Sequence, residues 1–356
     1  MGIRVSRRSG AVCAAISAAA LIMGTALPAQ ATTSGWRGAF SAHYGAAVND
    51  SVYGTVVATS GANAWAFGGS DESFGNGTAQ QVEGAHWTGS SWRTVSMPAG
   101  IHDYIIRASA PAANDIWAVT RSGYVLHYNG STFSVAHRFP AGPQQLTGVV
   151  ALSPKNVWVF GGGGAGPGYG TYHYNGITWT AQGGAIAGAS FASAVSASDI
   201  WAVGSDGNAP QNTIVQYTGS GWSKVVSHSL VGMTFHAITA LAAKSVWMTA
   251  SVSGGSSFTS YLLHYNGSGV SKAKIPWSVN AGQVASDGQG GIWMLATSSG
   301  GVSYAIHRTP NGVWTRVPIG AGAGLAAVPG TTAEWAVGTK LTTSGSNAVI
   351  WAYGRP

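Results

Sequence analysis

The chain has 356 residues, of which 45% are hydrophobic and only 8% charged, so it carries enough apolar material for a buried core. Its 17 basic residues are scattered without a basic stripe, which excludes nucleic acid as an expected partner. The 53 glycines and 15 tryptophans indicate many short strands joined by glycine turns.

The N-terminus has the pattern of a secretory leader. A stretch with three arginines, Arg4–Arg8, precedes the apolar segment Ala11–Leu27, and Ala29-Gln30-Ala31 offers the small residues of a cleavage site. We therefore expect a signal peptide over residues 1–31, a mature domain over residues 32–356 and an extracellular location. An uncleaved membrane anchor is the alternative. No later segment is apolar for long enough to span a bilayer, so we expect no membrane insertion after cleavage.

The only cysteine, Cys13, lies inside this leader. The mature chain is therefore expected to have no disulfide, no thiolate nucleophile and no cysteine ligand for a metal. Loss of the leader also reduces the formal net charge from +7 to about +4.

Two short patterns alternate along the mature chain. The first is an apolar strand with a tryptophan, and its seven copies contain Trp65, Trp117, Trp158, Trp201, Trp247, Trp293 and Trp335. The second is a strand followed by a tight turn, best seen in His127–Gly130 and His173–Gly176, where Asn-Gly predicts a β-hairpin with a type I′ turn. With the strand before each tryptophan and the one after each turn, every period holds four strands.

Four antiparallel strands repeated seven times predict an all-β fold, a seven-bladed β-propeller of four-stranded blades. A solenoid is the alternative, but it would need capping repeats at its ends. The seventh copy ends at Ile350–Gly354, before its outer strand, and Gly35–Phe40 resembles the missing strand. We therefore expect the N-terminal strand to complete the last blade and close the ring.

The copies Gly161-Gly162…Tyr174…Trp179 and Gly68-Gly69…Trp87…Trp92 resemble the kelch repeat. The resemblance covers the whole mature chain in a degenerate form, because five copies lack the diglycine and the strand tryptophan lies outside the usual kelch pattern. The chain is similar to secreted kelch-like propellers of actinobacteria. This resemblance implies a fold and leaves the function open.

The repeated aromatic and histidine residues are predicted to be structural. Tryptophans at a fixed place in each blade supply the large residue that packing between blades requires. One histidine per blade would be held too far from the next to share a zinc ion, and these residues are His86, His127, His173, His264 and His307. We predict no metal and no cofactor.

Residues that break the repeat are the better candidates for function. The loops after the tryptophan strands and the loops between blades share one face, where propellers bind ligands at the mouth of the central channel. The predicted ligand-binding residues of this face are Trp277, Tyr104, Arg121, Arg138, Tyr169, Asp206 and His236. The candidates for acid/base catalysis are His102, Asp103, Asp71 and Glu72, with a solvated loop charge as the alternative for each.

Several enzyme classes are excluded. A copper radical oxidase needs a tyrosine cross-linked to a cysteine, and the Ser-x-Asp-x-Gly-x-x-Trp boxes of sialidases are absent. We therefore expect a secreted, monomeric, non-catalytic binding or scaffold protein that recognises an extracellular glycan or protein through the loop face. The alternative is an extracellular hydrolase or lyase with an acid/base site on the same face.

Overall fold

The computed structural model describes residues 35–44, 50–71, 81–140, 145–162, 169–186, 188–205, 213–226, 230, 232–254, 257–343 and 345–356. The leader predicted for residues 1–31 lies outside these ranges and stays a prediction. Across the described ranges the fold is all-β, with one 3₁₀ turn at Gly184–Ile186. No helix in these ranges is long and apolar enough to cross a bilayer.

The strands follow one another along the chain in groups. The first group is β1 (Trp36–Ala42), β2 (Asp50–Ser60), β3 (Asn63–Asp71), β4 (Gln81–Trp87) and β5 (Trp92–Val95). The next sheet is β6 (Ile105–Ala112), β7 (Asp115–Thr120), β8 (Tyr124–Tyr128) and β9 (Phe133–Arg138). It is followed by β10 (Gly148–Ser153), β11 (Asn156–Gly161), β12 (Gly170–Tyr174) and β13 (Trp179–Gln182).

The remaining strands continue this order. A sheet of four contains β14 (Gly188–Ser196), β15 (Asp199–Ser205), β16 (Thr213–Tyr217) and β17 (Trp222–Val226). Another contains β18 (Met233–Ala242), β19 (Ser245–Gly254), β20 (Ser257–Tyr265) and β21 (Val270–Lys274). A further one contains β22 (Val279–Ser286), β23 (Ile292–Ser298), β24 (Ser303–Arg308) and β25 (Trp314–Ile319). The last strands are β26 (Ala321–Ala327), β27 (Glu334–Thr342) and β28 (Gly345–Tyr353).

The strands at the two ends of the chain share one sheet of eight. Its order is β26-β27-β28-β2-β3-β4-β5, and β1 also pairs with β28. The link between β28 and β2 is a single parallel pair, Asp50 with Ser346, so the sheet consists of two antiparallel units, β2–β5 and β26–β28 with β1. β1 runs antiparallel to β28 from Trp36 opposite Tyr353 to Ala42 opposite Ala348. The N-terminal strand thus becomes the fourth strand of the C-terminal unit.

The predicted Asn-Gly hairpins are present, but the type I′ assignment is wrong for them. β8 ends at Tyr128 and β9 begins at Phe133, so the connection has four residues rather than two. The Asn129 side chain accepts the backbone N–H groups of Ser131 and Thr132 at 3.0 and 3.2 Å. Gly130 supplies the positive φ, at 95°. The asparagine therefore closes an Asx turn, which the two-residue pattern does not reveal.

The first strands of the four-stranded units contact one another in chain order. β2 contacts β6, β6 contacts β10, and the series continues through β14, β18 and β22 to β26, which contacts β2. Apolar clusters fill the spaces between neighbouring sheets, as where Trp201 and Ile214 meet Phe235 and Leu263. The hydrophobic core therefore consists of separate clusters, each of which lies between two neighbouring sheets.

Six of these first strands contain a β-bulge at or before their middle, as between Tyr53 and Thr55 and between Ile105 and Arg107. A bulge adds a residue to one strand and redirects the side chains that follow. Thr55 and Arg107, which follow their bulges, line a cavity enclosed by the first strands.

Candidate functional site

A geometry that recurs in three units accounts for His86, His127 and His173. In three units an Asn or Asp two residues before the tryptophan accepts its indole N–H: Asn63 from Trp65 at 3.2 Å, Asp115 from Trp117 at 2.9 Å and Asn156 from Trp158 at 3.2 Å. The same side chains contact the Nε2 atoms of His86, His127 and His173 at 3.0, 2.7 and 2.9 Å. We call these groups the Asx–His–Trp sets.

Each histidine also stacks on its tryptophan. The ring centroids are 3.8 Å apart for Trp65 and His86 and 4.1 Å apart for Trp117 and His127. Burial lowers the pKa of His86 below its ordinary value. The Asp115–His127 pair has the spacing of an acid/base couple, but asparagine holds the equivalent position in two other sets. The repeated contacts support a structural role for the sets, which is also what the sequence predicts for these histidines and tryptophans.

On the opposite face, where the loops meet, Asp103 braces two segments of chain. Its buried carboxylate accepts the backbone N–H of Tyr104 at 2.7 Å through Oδ1 and the backbone N–H of Ser122 at 2.7 Å through Oδ2. The Ser122 hydroxyl also donates to Oδ2. Ser122 lies between β7 and β8, so the carboxylate ties the loop before β6 to that turn. These three bonds occupy most of the roughly four lone-pair sites of the carboxylate and hold it in place as a structural group.

Tyr104 and Asp71 meet beside this brace. The Tyr104 ring packs so closely on Gly69 that a Cβ there would lie 2.5 Å from ring atom Cδ1. Its hydroxyl donates to the carboxylate of Asp71, the last residue of β3. Burial, Asp71 and Asp50 raise the pKa of Tyr104, and Arg121 opposes them. Tyr104 is therefore a protonated donor at physiological pH, placed among charges of both signs.

Tyr169 and Arg138 extend this arrangement toward the next sheet. The Tyr169 hydroxyl donates to the carbonyl oxygens of Pro140 and Ser122 at 2.8 and 3.3 Å. The Arg138 guanidinium lies 4.5 Å from the centroid of the Tyr124 ring. Burial raises the pKa of Tyr169, and Arg138 opposes that shift. We call Asp71, Asp103, Tyr104, Arg121, Arg138 and Tyr169 the loop-face cluster.

The other predicted site residues lie elsewhere. His102 is exposed although its neighbour Asp103 is buried, so the two adjacent groups face different surroundings. Glu72 and Asp206 lie outside the described residues. The placement of His236 on a loop is wrong: it is the bulged residue of β18, and its Nε2 lies 2.7 Å from the Ser251 hydroxyl.

Trp277 lies in the connection between β21 and β22, as predicted, and is half-buried. The Arg316 guanidinium lies 4.8 Å from the Trp277 ring and 4.6 Å from the Tyr304 ring. Trp277 thus belongs to the β22–β25 sheet, where it packs on the core and leaves part of its ring exposed. In the described part of the chain, the ring contacts of Trp277 are with residues of this sheet and its core, not with the loop-face cluster.

Two further residues lie beside the loop-face cluster and were missed by the sequence analysis. Ser122 completes the brace, and Asp50 lies directly opposite Asp71 in the pairing of β2 with β3. The sequence signal for Asp50 is that an aspartate stands at each open end of the predicted hairpin. Two like charges placed opposite each other destabilise a strand pair unless a nearby group of opposite charge compensates. Arg121 is the nearby cation.

The chemistry of the loop-face cluster suits recognition. Arginine and tyrosine side chains combine apolar area with directed hydrogen bonds, and such residues dominate binding surfaces. In the part of the chain that the structure describes, no group of three or more His, Asp or Glu residues is placed to hold a metal ion.

Comparison with known proteins identifies the architecture. No protein-family model matches the chain, and no curated protein matches it. YCF48 bound to D1 peptide is similar over 89% of this chain and 96% of that chain, with a TM-score of 0.61 and 13% identity. The RRP9 WD40 repeats match over 90% of this chain and 97% of theirs, with a TM-score of 0.60 and 10% identity. The WD40 β-propeller domain of Doa1 matches over 89% and 97%, with a TM-score of 0.57 and 10% identity.

The fold is a β-propeller. The likeness is structural, because identities of 10–14% carry no information about a shared function. The predicted propeller architecture is confirmed, whereas the kelch resemblance stays a prediction, since two of these similar structures are WD40 propellers.

Proposed function

We propose that this protein is a secreted, non-catalytic propeller that binds a protein or peptide segment through the loop-face cluster. The observation that carries the proposal is the convergence of Asp71, Tyr104, Arg121, Arg138 and Tyr169 from three neighbouring units. Side chains of both charges lie there beside two tyrosines, whereas Asp103, one of the residues predicted for acid/base catalysis, is held by structural hydrogen bonds.

The proposal includes seven blades in a closed ring. The division of the eight-stranded sheet at Asp50–Ser346 supports this count, because it yields two units beside the five separate sheets. The contact of β26 with β2, and the pairing of β1 with β28, support closure. In this arrangement the loop-face cluster lies where the first two blades and the third meet.

A protein partner is favoured over a glycan. Arg121 and Arg138 present exposed guanidinium groups that suit backbone carbonyls and carboxylates of a peptide. YCF48, which has a similar fold, was captured with a D1 peptide. A glycan site would instead require exposed stacking rings, and Trp277, the tryptophan predicted for that role, already packs against Arg316.

The test uses the mature chain, residues 32–356, on a peptide array and on a glycan array. Arg121→Ala and Tyr169→Ala are compared with Lys155→Ala, an exposed residue in the turn between β10 and β11. We expect peptide binding by the wild type and by Lys155→Ala, and a loss of at least about tenfold in the two cluster variants. Glycan binding without peptide binding, or equal binding by all variants, would contradict the proposal. N-terminal sequencing of the exported protein tests the leader separately and should begin at Thr32.

A further inference from the structure

The first strands enclose a cavity of about 170 Å³ on the axis around which they are arranged. One residue from each strand lines it at the same level: Thr55, Arg107, Gly148, Phe191, Ala237, Gln283 and Gly324. Six of the seven lie ten residues before the tryptophan of their unit, and Gly324 lies eleven before Trp335. The cavity is therefore built from a repeated position, and the residues that fill it can be compared directly.

Arg107 is the only charged residue at this level of the cavity. The other units have small, apolar or amide side chains there, so the arginine is a departure from the repeat rather than part of it. Its Nη1 donates to the Ile106 carbonyl oxygen at 2.7 Å, and its Cζ lies 5.5 Å from the centroid of the Phe191 ring. In the part of the chain that the structure describes, no carboxylate pairs with this guanidinium.

The charge of Arg107 is retained although its surroundings disfavour it. Burial lowers the pKa of its guanidinium to about 10, which still leaves it protonated at neutral pH. The Arg107 side chain is half-buried, and a positive charge held partly away from water without a counter-charge is costly. One bond to a carbonyl and one ring contact leave most of the five N–H donors unused. The positive charge and the unused N–H donors of Arg107 therefore favour the binding of an anion in the cavity.

The volume of the cavity and the single charge of Arg107 favour one class of anion, a small carboxylate. A cavity of about 170 Å³ lies below the range of pockets that hold drug-sized ligands, so an oligosaccharide or a folded segment is excluded from it. One guanidinium balances one negative charge and matches the planar fork of a carboxylate. Phe191 offers an apolar surface for a short carbon chain, and the Gln283 amide offers a neutral donor.

We propose that the cavity is a binding site for a small monocarboxylate, whose carboxylate pairs with Arg107. The site is separate from the loop-face cluster, since Arg107 lies within β6 on the axis and does not belong to that cluster. The carboxylate of the ligand supplies the negative charge that Arg107 lacks as a partner.

The experiment is saturation-transfer NMR on the mature chain with acetate and propionate as probes, and acetamide as the neutral isostere. Arg107→Gln removes the charge, Arg107→Lys keeps the charge without the fork, and Arg93→Gln is the exposed arginine control on β5. We expect propionate and acetate to bind, acetamide not to bind, and Arg107→Gln to weaken binding at least about tenfold. Arg107→Lys should be intermediate, and Arg93→Gln should match the wild type.

A second measurement needs no variant and remains informative if a substitution impairs folding. Carboxylate affinity of the wild type should be constant from pH 6 to 8 and fall as the pH approaches the Arg107 pKa of about 10. The thermal midpoint of Arg107→Gln without ligand should equal or exceed that of the wild type, because the variant lacks a half-buried charge that has no carboxylate partner.

Three results would overturn the proposal. These are equal acetate binding by Arg107→Gln and the wild type, tighter binding of divalent phosphate than of acetate, and no carboxylate binding at up to about 50 mM, far above a weak millimolar Kd. Binding by a peptide C-terminus but by neither free acid would assign the carboxylate to a protein partner instead.

Discussion

Two regions of this propeller use the same residue types in different ways. In the Asx–His–Trp sets, Asp115 and His127 lie 2.7 Å apart beside a tryptophan, and asparagine replaces the aspartate in two other units. In the loop-face cluster, Asp71, Tyr104 and Arg121 have no counterparts at equivalent places in the repeat. The close acid–histidine pair therefore indicates structure, because asparagine makes the same contacts in two other units, and the unrepeated groups are the candidates for binding.

The largest expected effect comes from a tryptophan of the sets. Trp117 is 2% exposed, and Trp117→Ala should lower the free energy of unfolding by about 3–5 kcal/mol because it leaves a cavity. Trp277→Ala, outside the repeat and half-buried, should cost less than about 2 kcal/mol. Urea denaturation of both variants measures the difference. Equal losses would show that Trp277 is as much a part of the core as Trp117.

Two substitutions of Asp115, with an intermediate effect on the free energy of unfolding, separate the role of its charge from the role of its hydrogen bonds. Asp115→Ala leaves the Trp117 indole N–H and His127 Nε2 without their partner and should cost about 1–3 kcal/mol. Asp115→Asn should cost less than about 1 kcal/mol, because Asn156 performs both contacts in its own set and the Asp115 Oδ2 atom has no hydrogen-bond partner. Denaturation at pH 7 compares them. A loss in Asp115→Asn as large as in Asp115→Ala would mean that the carboxylate charge is needed.

The smallest effect is a pH dependence of stability. Burial lowers the folded-state pKa of His86, so below the unfolded value of 6.5 the unfolded chain binds more protons than the folded one. Stability is fully present above that pH and is lost as the pH falls below it. In the folded state the Asn63 amide N–H donates to His86 Nε2, which protonation would prevent.

Thermal unfolding between pH 7.5 and 5 measures this dependence. His86→Gln should reduce the slope without abolishing it, because burial also lowers the pKa of His137, His173, His236 and His264. The variant should fold, since Gln216 fills the equivalent place in its unit and donates to Asp199 at 2.8 Å. His43→Gln, at an exposed position, is the matched control and should keep the wild-type slope. A slope unchanged by His86→Gln would assign the acid sensitivity to other groups.

The sequence predicted the architecture well because packing between sheets imposes a period on large residues. The spacing of the tryptophans located the strands, and the resemblance of Gly35–Phe40 to an outer strand anticipated the pairing of β1 with β28. The Asx–His–Trp sets were found only as separate residues, since the contact of Asp115 with His127 depends on the register of neighbouring strands. Register is set by whole hairpins, which a local pattern does not specify.

The candidate site was predicted in part. Six of the proposed residues do converge in the loop-face cluster, because loops of neighbouring units emerge together. His236 was assigned to a loop because a bulge is invisible in the sequence, and Ser122 was missed because a lone serine carries no pattern. Arg107 had a usable signal, its place ten residues before Trp117, but only alignment on the tryptophans shows that the other units avoid charge there.

The pairing of β1 with β28 has a consequence for how the chain reaches its native state. The first described strand and the last are neighbours, and Trp36 of β1 packs on Trp293 of the preceding sheet at a centroid distance of 5.4 Å. During synthesis β1 must wait, without its partner, until nearly every other strand has been made. Loss of residues 348–356 would remove every residue of β28 that pairs with β1 and leave that strand unpaired. This sheet can therefore be completed only after β28 has been synthesised. A product truncated before β28 keeps an open sheet edge that proteases and other strands can reach.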